Sequence, residues 1–217
     1  MTKILFVRHG YSEANRLQMY AGSGVDSPLT EQGQAQGDTV SAFIAENYHV
    51  DKIISSPLSR AKNTIRLLAE KTGLPIETEE GFKEIYGGKW EGRAHQDNAK
   101  DYPKEFAVWK KDYGNCHPPE GESFASLQER MLKTAEKTAR ENDGKTVVVA
   151  THAGALRALF SAFKNIPNED VQLKTTWVPN ASISTVEYEN GKWALVSEGE
   201  VGHLGDNVTR VDFSNIK

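Results

Sequence analysis

Two histidines occupy matching places in this 217-residue sequence, and either could act as a nucleophile or bind an anion. His9 closely follows the apolar run at residues 4–7, and His152 closely follows the β-branched run at residues 146–150. A glycine follows each histidine within two residues, which lets the backbone come close to a ligand. A helix starting there would offer free N–H groups to an anion. A single such histidine would be interpreted as structural, but the repeated context favours one shared pocket.

Two arginines lie beside the same runs. Arg8 precedes His9, and Arg60 follows the short apolar run at residues 52–55 and Ser56-Pro57. An arginine at the end of a buried strand needs a carboxylate or a bound anion as its partner. Arg60 alone would be interpreted as a solvated helix residue. Two arginines and two histidines together predict an oxyanion site, and phosphate fits best because guanidinium binds it through paired hydrogen bonds.

The apolar patterns predict the elements that would position these side chains. Strands are expected at residues 4–7, 52–55, 74–78 and 146–150, followed by a hairpin of 183–188 and 193–196 around Asn190-Gly191. Helices are expected after a Thr30 cap, from a Ser56-Pro57 cap to Gly73, within 97–111, from 124 to about 144, and up to about 164. This alternation predicts an α/β fold, a three-layer sandwich whose mostly parallel central sheet is flanked by helices. Ligands of such sheets bind at the carboxyl ends of the strands.

The segment from about residue 85 to 122 interrupts the alternation. It contains Gly87-Gly88, Pro103 and Pro118-Pro119, and it is dense in aromatic side chains. We interpret it as a helical lid or cap inserted into a single domain that spans residues 1–217. Most of its aromatic residues should pack onto the domain, and one or two should line the pocket.

Composition excludes several classes of protein. Lys and Arg total 26 and Asp and Glu total 30, so the net charge is 26 − 30 = −4, which argues against a nucleic acid or an anionic membrane as partner. The single cysteine, Cys116, excludes an internal disulfide and a Cys-rich zinc site. No apolar stretch is long enough for a membrane span or a signal-peptide core. These features predict a cytoplasmic protein.

The ordered motifs resemble those of the histidine phosphatase superfamily, the group that includes cofactor-dependent phosphoglycerate mutase. The matching stretches are residues 8–15, 26–30 with Gly33, 55–61 with Thr64, Glu84 with Gly88 and 90–92, 119–123, and 151–154. An isolated Arg-His-Gly would be a weak signal, whereas this set follows the family's order along nearly the whole chain.

The resemblance implies a role for each matched position. His9 would take up the phosphoryl group as phosphohistidine, and Arg8, Arg60 and His152 would surround the phosphate. Glu84 would protonate the leaving oxygen and then activate water. The substrate is expected to contact Asn15, Gly22 and Ala153. A nucleophilic imidazole must be neutral, and neighbouring positive charges favour that form. The resemblance implies neither a metal nor another cofactor.

Hydrolysis and phosphoryl exchange share this core, and the segment after Glu84 favours hydrolysis. It lacks an adjacent arginine pair, it is modest in length, and residues 119–123 resemble the phosphatase branch. We therefore expect a metal-independent phosphomonoesterase whose partner is a small phosphorylated metabolite. The alternatives are phosphoglycerate mutase activity and a non-catalytic phospho-ligand binding protein. The sequence leaves a homodimer open and assigns no role to His117, His203 or Cys116.

Overall fold

The computed structural model describes residues 1–210, and within that range six strands form one mixed sheet. The strands are β1 (Thr2–Arg8), β2 (Lys52–Ser55), β3 (Ile76–Thr78), β4 (Thr146–Thr151), β5 (Ile183–Glu189) and β6 (Lys192–Glu200). Their order across the sheet is β3-β2-β4-β1-β5-β6. The first four of these run parallel, while β5 and β6 are antiparallel to their neighbours. The predicted mostly parallel sheet is therefore confirmed.

Helices cover both faces of the sheet. They are α1 (Glu13–Arg16), α2 (Glu31–Asn47), α3 (Ser59–Thr64), α4 (Arg66–Thr72), α5 (His95–Asp101), α6 (Pro103–Lys111), α7 (Phe124–Glu141), α8 (Ala153–Phe163) and α9 (Val171–Lys174). Alternate residues of β1 enter two separate cores. Leu5 packs with α2, α3 and α4 on one side, and Phe6 packs with α7 and α8 on the other. Because side chains alternate across a strand, this division produces the predicted three layers.

Two local predictions, the Thr30 cap and the turn at Asn190-Gly191, are confirmed because each depends on the residues at that position. Thr30 caps α2, since its Oγ1 accepts a hydrogen bond from the Gly33 N–H at 3.0 Å. Asn190 and Gly191 both have positive φ values, 50° and 78°, as a tight hairpin turn requires.

The prediction of one helix from Ser56-Pro57 to Gly73 was wrong. The helix α3 begins only at Ser59, whose N–H and hydroxyl both donate to the Asp26 carboxylate. A residue from a distant loop thus supplies the cap. The helix then breaks at Ile65 (φ −110°), whose side chain is fully buried, before α4 continues to the left-handed Gly73. Neither effect has a signal in the local sequence.

The segment from residue 85 to 122 packs against the loop that follows β1. Tyr20 donates its N–H to the Arg93 carbonyl and accepts from Gly92, and His95 donates to the Gln18 carbonyl. Trp90, Trp109 and Tyr113 are buried in the larger core. None of the helices within residues 1–210 combines the length and apolar character needed to cross a membrane.

We expect Thr30→Ala to lower the free energy of unfolding by about 1 kcal/mol, because the substitution removes the cap of α2. Urea denaturation monitored by circular dichroism measures the change. Thr39→Ala is the matched control, since Thr39 lies in the middle of the same helix and bonds only to the Ala35 carbonyl. That control should be neutral or slightly stabilising. Equal losses in the two variants would contradict the capping role.

Candidate active site

The register of the sheet brings the two strand-end histidines together. Arg8 pairs with Thr151 across β1 and β4, so the next residues, His9 and His152, are neighbours at the carboxyl edge. Their ring centroids are 5.2 Å apart. Ser55 pairs with Ala150 from the other side. Three parallel strands therefore end at one place, which is where ligands of α/β sheets bind.

His9 is buried and has one ring nitrogen free to react. Its Nδ1 lies 2.8 Å from the Gly10 carbonyl oxygen, and a carbonyl can only accept, so Nδ1 carries the hydrogen. The Nε2 atom therefore keeps its lone pair. Burial lowers the pKa of His9 well below 6.5, and the positive charges of Arg60 and Arg8 lower it further. A neutral imidazole with a free Nε2 is a nucleophile.

Close packing holds the loop after His9 in place. Gly10 donates its N–H to Thr64 Oγ1 at 2.8 Å, and the same hydroxyl donates to the Arg60 carbonyl. A Cβ atom on Gly33 would lie 2.0 Å from the Tyr11 carbonyl oxygen. Only glycine lets α2 approach the loop so closely.

His152 is completely buried between His9 and the end of β2. Its Nε2 lies 2.8 Å from Ser56 Oγ, while its Nδ1 has no hydrogen-bond partner among residues 1–210. Burial lowers the pKa of His152 well below 6.5, with Arg60, His9 and Arg8 adding to the effect. Sequence reasoning interpreted Ser56 as a helix cap; the structure makes it the partner of His152.

Arg8 and Arg60 bring buried positive charge into the site. Arg8 is 2% exposed and donates through Nη1 to the Val178 carbonyl at 2.6 Å, whereas its Nε has no partner within the described chain. Burial lowers the pKa of Arg8 to about 10, so it stays charged at neutral pH. Neither guanidinium group, Arg8 or Arg60, forms a hydrogen bond with a carboxylate within residues 1–210, so a bound anion would stabilise both.

Arg60 is held by the loop at residues 21–26. It donates to the carbonyls of Ala21, Gly22 and Val25 at 3.3, 2.8 and 3.0 Å. The Asp26 carboxylate is 3.9 Å away and 43% exposed, so it compensates the buried charge only weakly.

Glu84 supplies a carboxyl group at the start of α8. Its Oε1 accepts from the N–H groups of Ile85 and Ala155, and its Oε2 accepts from Gly154, each at 2.9 Å. Burial raises the pKa of Glu84, while these backbone hydrogen bonds and Arg60 act in the opposite direction. A carboxyl group with a raised pKa can carry a proton at a pH where an ordinary glutamate has lost it.

These groups surround a cavity of about 550 Å³. The predicted site residues that line it are Arg8, His9, Asn15, Arg60, Glu84 and Ala153. Its further wall is largely aromatic, with Tyr20, His95, Trp109, Tyr113 and Trp177. Two predicted residues lie behind this lining. His152 sits below His9, and Gly22, expected at the substrate, instead binds Arg60 through its carbonyl and Glu91 through its N–H.

Sequence reasoning missed Asn180, which lines the cavity and is 1% exposed. Its Nδ2 donates to the His9 carbonyl at 3.0 Å and to Asn15 Oδ1 at 3.2 Å. The Ser12 N–H also donates to Asn15 Oδ1, so the Asn15 Nδ2 group is the donor left for a ligand. Only the pairing of β5 with β1 brings Asn180 here, and the local sequence carries no sign of that pairing.

The other titratable candidates lie outside the cavity. The His117 Nε2 is 3.2 Å from the Gly121 carbonyl, and the His203 Nε2 is 2.9 Å from the Ala181 carbonyl. Cys116 is buried, which raises its pKa to about 12. Within residues 1–210, no three His, Cys, Asp or Glu side chains are grouped so that they could hold a metal ion.

The chain is similar in sequence and in fold to known phosphatases. Residues 4–200 match the family model described as histidine phosphatase superfamily (branch 1). Phosphoserine phosphatase 1 of Hydrogenobacter thermophilus is 30% identical over 209 residues, 95% of this chain and 96% of that protein. Adenosylcobalamin/alpha-ribazole phosphatase of Salmonella typhimurium is 28% identical over 194 residues, 89% of each protein. The solved structure of Bacillus stearothermophilus YhfR matches with a TM-score of 0.89 and 27% identity, covering 94% of this chain and 100% of that one.

We expect Arg8→Met to weaken the binding of orthovanadate, an analogue of phosphate, by roughly thirtyfold, or about 2 kcal/mol. The stability of the vanadate-free protein should stay equal or rise, because the substitution removes a buried charge without a carboxylate partner. Urea unfolding with and without vanadate measures both quantities. Arg66→Met is the control, since Arg66 is an exposed residue of α4 that pairs with Glu70. A vanadate Kd unchanged by Arg8→Met would contradict this interpretation.

Proposed function

The chain belongs to the histidine phosphatase superfamily, branch 1, and on that premise we propose that it hydrolyses small organic phosphate monoesters through a phosphohistidine on His9, without a metal ion. One observation carries the proposal. The free Nε2 of a neutral, buried histidine shares a cavity with two buried guanidinium groups and a carboxyl group of raised pKa. Nucleophile, anion site and proton donor are the three parts that transfer of a phosphoryl group requires.

In the first step, His9 Nε2 attacks the phosphorus atom and the bond from phosphorus to the ester oxygen breaks. Glu84 gives its proton to that oxygen, so the alcohol leaves neutral. Arg8 and Arg60 stabilise the charge on the remaining phosphoryl oxygens. Ser56 Oγ lies 2.8 Å from His152 Nε2, and this hydrogen bond holds the imidazole ring of His152 behind His9.

In the second step, water attacks the phosphorus atom and the bond to Nε2 breaks. The Glu84 carboxylate takes one proton from the water, phosphate leaves, and His9 returns to its neutral form. Each group ends in its starting protonation state and no oxidation state changes, so the cycle balances without an oxidant. One carboxyl group serves as acid and then as base, and the raised pKa of Glu84 favours its protonated form at the start of the cycle.

The substrate we propose is a small phosphorylated metabolite, with phosphoserine as the first to test. Two observations support the class. One sequence relative is named a phosphoserine phosphatase and another an alpha-ribazole phosphatase, and both names describe phosphate monoesterases. The cavity of about 550 Å³ accommodates a group larger than serine, and Arg16, which also pairs with Glu13, and Arg210 bring positive charge to its wall that favours a substrate carboxylate.

We expect His9→Ala to reduce the release of inorganic phosphate from phosphoserine by at least about 10⁴-fold, because the nucleophile is lost. Brief incubation with ³²P-labelled substrate followed by alkaline denaturation should leave acid-labile label on the wild type and none on the variant. His117→Ala is the control, since His117 is exposed and bonds only to the Gly121 carbonyl.

Acid-labile label that persists in His9→Ala would exclude His9 as the nucleophile. A wild type that releases no phosphate from a broad panel of monoesters would exclude the proposed function. Conversion of 3- to 2-phosphoglycerate in the presence of 2,3-bisphosphoglycerate, faster than phosphate release, would instead show mutase activity.

We expect Glu84→Gln to lower kcat/KM for phosphoserine by about 10²–10⁴-fold. In the wild type the rate should fall as pH rises through the raised pKa of Glu84, since the acid loses its proton, and this alkaline limb should be absent in the variant. The acid limb should lie below pH 6.5 in both, because the pKa of His9 is lowered. Rate–pH profiles on one substrate measure both limbs.

The ester p-nitrophenyl phosphate separates the two roles of Glu84. Its leaving group needs no proton, so Glu84→Gln should still form phosphohistidine and release a burst of p-nitrophenolate equal to the enzyme. Hydrolysis of the intermediate should then be slow, because no base activates water. An alkaline limb that persists in the variant, or equal losses on both esters without a burst, would contradict the assignment.

A further inference from the structure

The loop that carries Glu84 is irregular, yet every carbonyl of residues 81–86 accepts a hydrogen bond. We call these six residues the acid loop. Only a single helical turn, Glu80–Phe82, overlaps it. The donors are Arg130 for Gly81, Lys83 and Glu84, Thr151 for Phe82, Ser23 for Ile85, and the Glu122 N–H for Tyr86. Outside helices and strands, backbone carbonyls have no regular series of N–H partners, so side chains and distant backbone groups must supply the hydrogen bonds.

Arg130, on α7, holds three of those carbonyls and uses all five of its N–H groups. Its Nη1 donates to the carbonyls of Gly81 and Lys83 at 2.9 and 3.0 Å, and its Nη2 donates to the Glu84 carbonyl at 3.4 Å. The remaining two donors, Nε and Nη2, bind the Glu122 carboxylate at 3.0 and 2.7 Å. The planar guanidinium presents these donors in a fixed fork, which the compact ammonium group of lysine cannot reproduce.

Glu122 completes the clamp at the other end of the acid loop. Its N–H donates to the Tyr86 carbonyl at 2.7 Å, and its Oε2 also accepts from the Tyr86 N–H at 3.3 Å. The Glu122 side chain is 14% exposed and that of Arg130 27%, so the ion pair is shielded from most solvent. Both flanks of Glu84 are thereby tied to Arg130 of α7, one directly and the other through Glu122, which lies just before that helix.

We propose that Arg130, itself held by Glu122, is a positioning residue that sets where the Glu84 carboxyl group lies. Arg130 does not line the cavity, and its side chain donates hydrogen bonds to the backbone of the acid loop and to Glu122. The Glu84 carboxyl meets the N–H groups of Gly154 and Ala155 only if its backbone keeps this place. The catalytic consequence rests on the proposed function; the geometric one does not.

Hydrogen exchange tests the geometric part without any substrate. Gly154 and Ala155 belong to the first turn of α8, where amides have no partner within the helix, so their protection depends on Glu84. Arg130→Lys should speed exchange of these two amides at least tenfold, although neither touches Arg130. Arg140→Lys is the matched control, because Arg140 lies on the same helix and forms an exposed ion pair with Glu136. Unchanged exchange at both amides in Arg130→Lys would overturn the proposal.

Kinetics tests the catalytic part. Arg130→Lys should lower kcat on phosphoserine at least tenfold with KM nearly unchanged, and should lower formation of phosphohistidine from p-nitrophenyl phosphate much less. In the Glu84→Gln background, Arg130→Lys should lower kcat no further, because Arg130 acts through Glu84. The orthovanadate Kd should stay as in the wild type. Glu122→Gln, which removes the charge that pairs with Arg130 but leaves the guanidinium group in place, should show the same pattern to a smaller degree.

The outcomes separate this inference from the proposed function. A wild type without phosphate release overturns the function and the catalytic part, while amide exchange still decides the positioning. An active wild type with unchanged Arg130→Lys kinetics overturns this inference alone. The inference is also overturned if Arg130→Lys lowers activity equally on phosphoserine and p-nitrophenyl phosphate and if this loss adds to that of Glu84→Gln. A general loss of structure would produce that result.

Discussion

Buried positive charge without a close carboxylate partner is the constraint around which this site is built. Arg8 and Arg60 are both almost fully buried, and their hydrogen bonds go to backbone carbonyls. Desolvating a charge is costly unless an opposite charge compensates it, so the free protein carries a penalty that a bound anion removes. Burial lowers the pKa of His9 and of His152, and the same charges lower both further, because a protonated imidazole would add to the repulsion. The buried arginines thus favour a bound anion and, together with desolvation, a neutral His9.

The parallel sheet positions the polar side chains of the site at one edge and holds them there. Three adjacent strands end at one edge, where β1 delivers His9, β4 delivers His152 and β2 leads to Ser56. Each strand is anchored by core residues on both faces, so the groups at its end are held without contributing to the core themselves. The antiparallel addition of β5 brings Asn180 to the same edge.

Burial shifts the proton affinities of His9 and Glu84 in opposite directions within one cavity. Desolvation disfavours the charged form of either group, so it lowers the pKa of His9, which nearby cations lower further, and raises the pKa of Glu84. The three backbone N–H groups around Glu84 restrain that shift, so the carboxyl group can both give and take a proton.

Sequence alone determined the layer architecture, the turn and cap residues of α2 and the hairpin, and the family, and it predicted His9, Arg8, Arg60, Glu84 and His152 as site residues. The architecture and the turns depend on short-range information, namely apolar periodicity and turn chemistry, whereas the family and the predicted site residues depend on the order of motifs along the chain. Tertiary structure decided the late start of α3 under Asp26, the break at Ile65, the pairing of Ser56 with His152, the place of Gly22 behind Arg60, and the roles of Asn180 and Arg130. These depend on contacts between residues far apart in the chain, which exist only once strand register and helix packing have brought the partners together.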